Sequence, residues 1–218
     1  MISFSNTDLE AVKKAVKAAE GQTAGEIVPF VSLRSDRYDI ALWRAAGLFA
    51  LIGIALVLAA EMLSDGWGTA WLGAGGSVAA IGLVSGGFGW LLAYSVDSFR
   101  RLMAGDAAMT LAVHRKAKQA FLDEEVFDTV DRTGILLFVS LFERRIEVVG
   151  DSGINAKVSS DDWVDVIGSV REGIRQGQVA QGIVEGIARC GALLNSKGVA
   201  LKPDDTNELP DGLRLDTE

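Results

Sequence analysis

Two apolar runs without charge constrain this chain more than any other feature in it. The first lies within Ala41–Met62, where no charged residue stands between Arg44 and Glu61. The second covers Trp71–Tyr94 and is uncharged throughout. A helix rises about 1.5 Å per residue, so about 20 residues cross a hydrocarbon core of about 30 Å. A pair of buried core helices is the competing reading, but two uncharged runs of this length exceed ordinary core helices. Trp43 and Arg44 open the first run, and Trp71, Trp90 and Tyr94 lie near the ends of the second. Such side chains reach the headgroup level. The polar turn Ser64-Asp65-Gly66 joins the runs, so residues 41–96 read as a transmembrane helical hairpin.

The flanking charges give an orientation. Arg34, Arg37 and Arg44 precede or open the first span, Arg100 and Arg101 follow the second, and the connection carries only Glu61 and Asp65. Lys and Arg stay on the cytoplasmic side. The expectation is a two-pass protein of the cell (inner) membrane with both termini cytoplasmic. A cleaved signal peptide does not fit, because a charged amphipathic helix and a strand come first. No ionisable residue lies mid-span, which argues against a proton relay or ion pathway. Gly82-Leu-Val-Ser-Gly86 has the small-xxx-small spacing that lets helix backbones approach. Packing within the hairpin and homo-oligomerisation are both open.

The rest of the chain reads as one domain split by the hairpin: residues 1–40 and 98–202, with an acidic flexible tail over 203–218. The net charge of −8 shows no basic excess, so nucleic acid is not an expected partner. A single cysteine, Cys190, forms no internal disulfide and fits a reducing compartment. With one His and one Cys, zinc sites of the His/Cys type are excluded.

Ser5 to Glu20 is expected to be a helix, capped by Thr7-Asp8-Leu9-Glu10, with Leu9, Val12, Val16 and Ala19 on its apolar face and Gly21 at its exit. Glu26–Leu33 reads as a strand in which Pro29, lacking a donor, favours an edge or a bulge. A long helix follows the hairpin over Phe99–Leu122; its His114 reads as an exposed surface residue and its basic patches as a solvated face or a contact with anionic lipid. Thr133–Leu141 is apolar on both faces, as a central strand is. Phe142-Glu143-Arg144-Arg145 turns into a second strand, Ile146–Val149. Ser159 or Ser160 then caps a helix with Trp163, Val166, Ile167, Val170 and Ile174 in its core stripe, Gly177 breaks it, and a last helix spans about Val179–Asn195. This order gives an α/β/α sandwich with a small mixed sheet of three strands.

Several of these stretches together resemble the TPM domain, named from thylakoid, photosystem II-repair and acetylcholine-receptor-modifier proteins. They are Gly25-Glu26-Ile27-Val28, Thr133-Gly134-Ile-Leu-Leu-Phe-Val-Ser, Glu143-Arg144-Arg145-Ile146-Glu147-Val148, Gly150-Asp-Ser-Gly-Ile154, Trp163, the Gly182–Leu194 helix with Gly186 and Gly191, and Asn207-Glu-Leu-Pro-Asp211. The resemblance covers residues 1–40 and about 98–212, with the hairpin placed where other members keep a helix. It implies a three-layer TPM-like sandwich interrupted by the hairpin. It also implies one of several activities: the acid phosphatase described for a thylakoid member, non-enzymatic assembly or quality control at membranes, or divalent-cation binding, calcium especially. Where many members read Gly-aromatic-Gly at a strand end, this chain has Gly150-Asp151-Ser152-Gly153.

If the first strand runs parallel to Ile135–Leu141, as in the family fold, Glu26, Arg132, Thr133 and Asp151 share one end of the sheet. Arg34, Asp36, Arg144 and Arg145 share the other. Glu26, Asp151 and Asp162 are then candidate oxygen ligands for calcium or magnesium, which a hydrolase would use to polarise a phosphoryl oxygen. In the alternative, Glu26 pairs with Arg132 and Asp151 holds a tight turn. Arg34, Arg37, Arg144 and Arg145 are candidates for phosphate headgroups or a phosphorylated substrate; ordinary membrane-side arginines account for them equally well. The chain has no GxxxxGK[ST] loop and no GxSxG elbow, and His114 alone makes no Ser-His-Asp site. No catalytic residue is assigned. The leading expectation is an integral membrane protein whose cytoplasmic domain binds partner proteins to assist assembly or maintenance of a membrane complex. The alternatives are a weak divalent-metal-dependent acid phosphatase and a calcium- or lipid-sensing module.

Overall fold

The structure is a computed structural model that describes residues 4–63, 74–201 and 207–216. The expected turn Ser64-Asp65-Gly66, Trp71 and the first part of the tail lie outside the described residues. The helices and strands, in chain order, are α1 Asn6–Glu20, β1 Glu26–Ser32, α2 Asp39–Leu63, α3 Gly75–Ser95, α4 Asp97–Ala104, α5 Asp106–Asp123, β2 Gly134–Ser140, β3 Arg145–Gly150, α6 Ser152–Asn155, α7 Val164–Arg175, α8 Val179–Ser196 and β4 Arg214–Asp216. A short 3-10 helix, Ser160–Trp163, leads into α7. They form two units, Met1–Ser35 with Thr110–Glu218, and Asp36–Met109.

In the first unit the sheet runs in the order β3-β2-β1-β4. β1 and β2 are parallel and in register from Glu26↔Gly134 to Ser32↔Ser140, β3 is antiparallel to β2, and β4 is parallel to β1. Alternate residues of a strand face opposite sides. Ile27, Val31, Ile135, Leu137 and Val139 face a core shared with Val12 and Val16 of α1, Val166 and Val170 of α7, and Ile183 and Ile187 of α8. Val28, Phe30, Leu136 and Phe138 face the other core, shared with Val113, Ala117 and Ala120 of α5. Helices on both faces of a mixed sheet make the expected three-layer sandwich.

Four details differ from the sequence reading. The capping box of α1 is Ser5 with Asp8, whose side chains and backbone amides exchange hydrogen bonds at 2.9 and 3.2 Å, and not Thr7 with Glu10. The helix expected over Phe99–Leu122 is two, α4 and α5, because Gly105 takes a φ of +84° that ends the first. The tail is structured where it returns as β4. Arg214 Nε pairs with Glu124 at 2.8 Å, Lys116 pairs with Asp216, and Leu209 is buried in the α5-side core. β1 is therefore an inner strand, yet Pro29 interrupts nothing. The Ile27 N–H donates to Glu20 Oε1 at 2.9 Å, Pro29 presents its nitrogen on that same side, and β4 pairs only from Phe30 onward.

The second unit holds α2 and α3, both long and apolar enough to cross a membrane. Their seam is built on glycine. A Cβ on Gly89 would stand 2.6 Å from the Ala45 carbonyl oxygen, and one on Gly86 would stand 3.2 Å from that of Ala46. A Cβ on Gly82 would meet Ile54 at 3.1 Å, so the Gly82–Gly86 pair packs within the hairpin. Two of the arginines that flank the spans bind helix ends. Arg44 Nη1 donates to the carbonyls of Met103 and Ala104, each at 3.0 Å, and Arg100 Nε donates to that of Ala93 at 3.1 Å. The last carbonyls of a helix lack intrahelical donors and carry the negative end of its dipole, so a guanidinium there is favourable.

Candidate functional site

Polar side chains gather at both ends of the parallel strand pair. At the amino-terminal end the β1 and β2 register brings Glu26 beside Gly134, and the Asp151 N–H donates to the Gly134 carbonyl at 2.9 Å. Glu26 and Asp151 therefore share this end, as the parallel arrangement requires. Each carboxylate has protein partners of its own. Glu26 is buried and accepts the Leu209 N–H at 3.4 Å. Asp151 caps α6 through the Ser152 N–H at 2.6 Å and pairs with Arg132 Nε at 2.9 Å. Arg132 thus pairs with Asp151, whereas the alternative to a metal site paired it with Glu26.

Asp162 belongs to a different setting, the 3-10 helix before α7. Lys197 Nζ stands 2.6 Å from it, and the Ser159 N–H and Oγ donate to it at 2.8 and 2.7 Å. These bonds, that of Lys197 first, hold its carboxyl at about 2. Calcium and magnesium need several oxygens converging on one point. Among the described residues no three Asp, Glu, His or Cys side chains converge in that way.

Glu20 joins this end without any expectation from the sequence. It is half-buried at the close of α1, and its Oε2 is shielded from solvent with no hydrogen-bond partner among the described residues. Burial pushes its carboxyl up to about 8; the Ile27 N–H opposes the rise, and the charges of Glu26 and Asp211 add to it. The sequence signal was a carboxylate on each side of one short connection, Glu20 and Glu26.

The carboxyl-terminal end is organised by a repeat. Phe30-Val31-Ser32-Leu33 and Phe138-Val139-Ser140-Leu141 are the same tetrapeptide, and the two copies lie in register. The phenyl rings stack at 5.5 Å, and Ser32 and Ser140 are fully buried. Ser140 Oγ donates to Glu143 Oε2, the Ser35 N–H donates to Glu143 Oε1 at 2.9 Å, and the Ser35 and Ser140 hydroxyls stand 2.8 Å apart. Ser32 Oγ donates to the Arg34 carbonyl at 3.0 Å and to Asp216 at 3.2 Å, and Lys116 Nζ reaches that same carbonyl at 3.2 Å. This web ties β1, β2, β4 and α5 to the segment that leaves β1. The Ser32 and Ser140 hydroxyls are closed to solvent, and each is spent on partners within the web. Repetition of the tetrapeptide was the signal that would have found it.

The arginines divide. Arg34 lies 4.2 Å from the Phe142 ring centroid. Arg144 is exposed in the β2–β3 turn with a φ of +54°, and Arg145 opens β3 opposite Ser140. Arg37 is exposed and belongs to the second unit. His114 is paired through Nδ1 with Glu147 of β3, so it is a bridge between α5 and the sheet. The sequence reads it only as an exposed surface residue, since a pairing across elements leaves no local pattern.

Residues 105–193 match the family model of the TPM domain. The match opens at Gly105, where the helix breaks, and closes at Leu193 in α8. It takes in Ser140, Glu143, Asp151 and Asp162 and leaves Glu20, Glu26 and β4 outside. No curated protein matches the chain. Among solved structures, the chain is similar to the NMR structure of the BA42 protein from the psychrophilic bacterium Bizionia argentinensis sp. nov. The two are 19% identical with a TM-score of 0.59, over 98% of this chain and 96% of that one. At that identity the likeness is one of fold. It agrees with the mixed sheet and flanking helices around the TPM-domain match.

Proposed function

We propose that the chain is an integral membrane protein whose TPM-type domain binds partner proteins on the cytoplasmic side and helps assemble or maintain a membrane complex. The observation that carries this reading is the outward surface of α2 and α3. Leu51 and Leu83, for example, are 68% and 79% exposed, and nothing charged lies between Arg44 and Glu61 or along α3. Soluble proteins rarely expose apolar patches larger than a few hundred Å². A bilayer covers such a surface, and the basic residues at the outer ends of the hairpin favour the cytoplasmic side. The binding role, rather than turnover, rests on how the polar groups are engaged. Asp151 and Asp162 are held by Arg132 and Lys197, and Ser32 and Ser140 are buried.

Two measurements test it. Alkaline carbonate extraction of membranes should leave the protein in the pellet, and the double variant Leu51→Arg/Leu83→Arg should move to the supernatant. Purified protein with calcium or magnesium should release no phosphate from an aryl phosphate. Release that disappears in Asp151→Asn, in a variant that still melts cooperatively, would overturn the non-enzymatic reading.

A further inference from the structure

We infer that α4 is an interfacial helix. With the adjoining ends of α2 and α3 it forms a collar seated in the headgroup–acyl boundary of the bilayer. The inference rests on the transmembrane reading of α2 and α3 and adds where the hairpin stops.

α4 is bound to one end of the hairpin. Phe99 and Met103, one turn apart, pack with Leu42, Ala45, Ala93 and Trp90, and the Phe99 ring meets Phe49 edge-on at 6.0 Å. Arg44 holds the last carbonyls of α4, and Arg100 ties α4 back to the end of α3. Arg44 therefore ties α2 to the end of α4.

The other residues at this end are of two kinds. Trp43 and Leu102 are each 68% exposed, and Ile40, Tyr94 and Val96 are exposed as well. Beside them on α4 lie Asp97, Ser98 and Arg101, with Arg101 Nη2 donating to Ser98 Oγ at 3.2 Å. Water penalises the first kind, and hydrocarbon penalises the second. The boundary layer suits both, since indole and phenol rings and an apolar side chain enter the acyl edge while Asp97 and Arg101 stay hydrated. The collar lies on the same helices as the exposed apolar side chains of the spans, Leu48 and Leu91 among them, which makes lipid its occupant.

The test uses the full chain in phosphatidylcholine–phosphatidylglycerol vesicles. An environment-sensitive fluorophore is attached to Leu102→Cys, Val96→Cys, Leu56→Cys or Lys14→Cys, and buried Cys190 is left in place. Nitroxide lipids quench either near the headgroups or deep in the acyl chains. Positions 102 and 96 should lose more fluorescence to the shallow nitroxide, position 56 more to the deep one, and position 14 should lose none. If 102 and 96 behave like 14, or as deeply as 56, the collar is wrong while the spans stand. If 56 itself is unquenched, the transmembrane reading fails, and the collar with it.

Discussion

Replacing Glu20 by glutamine should stabilise the protein in neutral and alkaline buffer, and the gain should vanish in acid. The carboxyl rises from 4.5 to about 8 on folding, chiefly through burial. A carboxyl whose folded pKa is raised contributes stability below its unfolded pKa and loses that contribution as pH climbs through the folded one. The wild type should therefore lose stability between about pH 4.5 and pH 8. A fully shielded group with this shift would be worth about 5 kcal/mol. Glu20 is only half-buried, and solvent screening brings the expected effect to about 2 kcal/mol. Glutamine keeps an oxygen for the Ile27 N–H and carries no charge for Glu26 and Asp211 to repel. Melting in detergent across pH 4.5 to 9, followed by circular dichroism, should show Glu20→Gln about 5 °C above wild type at pH 9. The two curves should meet near the acid limit. Parallel curves, or a variant less stable than wild type at pH 9, would refute the reasoning.

Three other outcomes follow from the packing. Gly89→Ala should lower the melting temperature by the equivalent of about 1–3 kcal/mol, because its methyl would sit 2.6 Å from the Ala45 carbonyl, whereas Gly47→Ala, which meets only open space, should not. Ser140→Ala should cost about 1–3 kcal/mol in urea unfolding of the detergent-solubilised protein, since it takes a donor from buried Glu143. Calcium or magnesium, titrated against thermal melting, should leave the wild type and Asp151→Asn equally unmoved, because Asp151 is engaged by Arg132.

Much of the fold was legible because it depends on local pattern. The apolar runs Ile27–Val31 and Ile135–Val139 read as strands, the second as a central one, and α1, α7 and α8 show their buried stripes at helical spacing. What stayed hidden depends on geometry that leaves no such trace. Ser5 and Thr7 each stand three residues before an acid, and only the hydrogen bonds select Ser5. Gly105 sits in a helical pattern that tolerates a glycine, so its left-handed φ was invisible. β4 is three residues long and is held by Arg214, Lys116 and Leu209 through partners far along the chain. At the site, the shared sheet end of Glu26 and Asp151 followed from the parallel strand direction that the family resemblance implied. The partners of Asp151 and Asp162 did not, because ion pairs formed across loops are set by the finished fold. The repeated Phe-Val-Ser-Leu was in plain view, and its meaning depends on the two strands lying in register.

The central claim is that α2 and α3 cross a bilayer with both chain ends on the cytoplasmic side. Reporter fusions in a bacterial inner membrane test it most directly. Alkaline phosphatase, active only outside the cytoplasm, is inserted after Met62 or fused after Glu218, and a fluorescent protein that matures only in the cytoplasm is placed at the same two positions. The account expects phosphatase activity only at Met62 and fluorescence only at Glu218. Fluorescence at both positions would show that the hairpin does not cross, and the reverse pattern would show that the arginines do not set its direction.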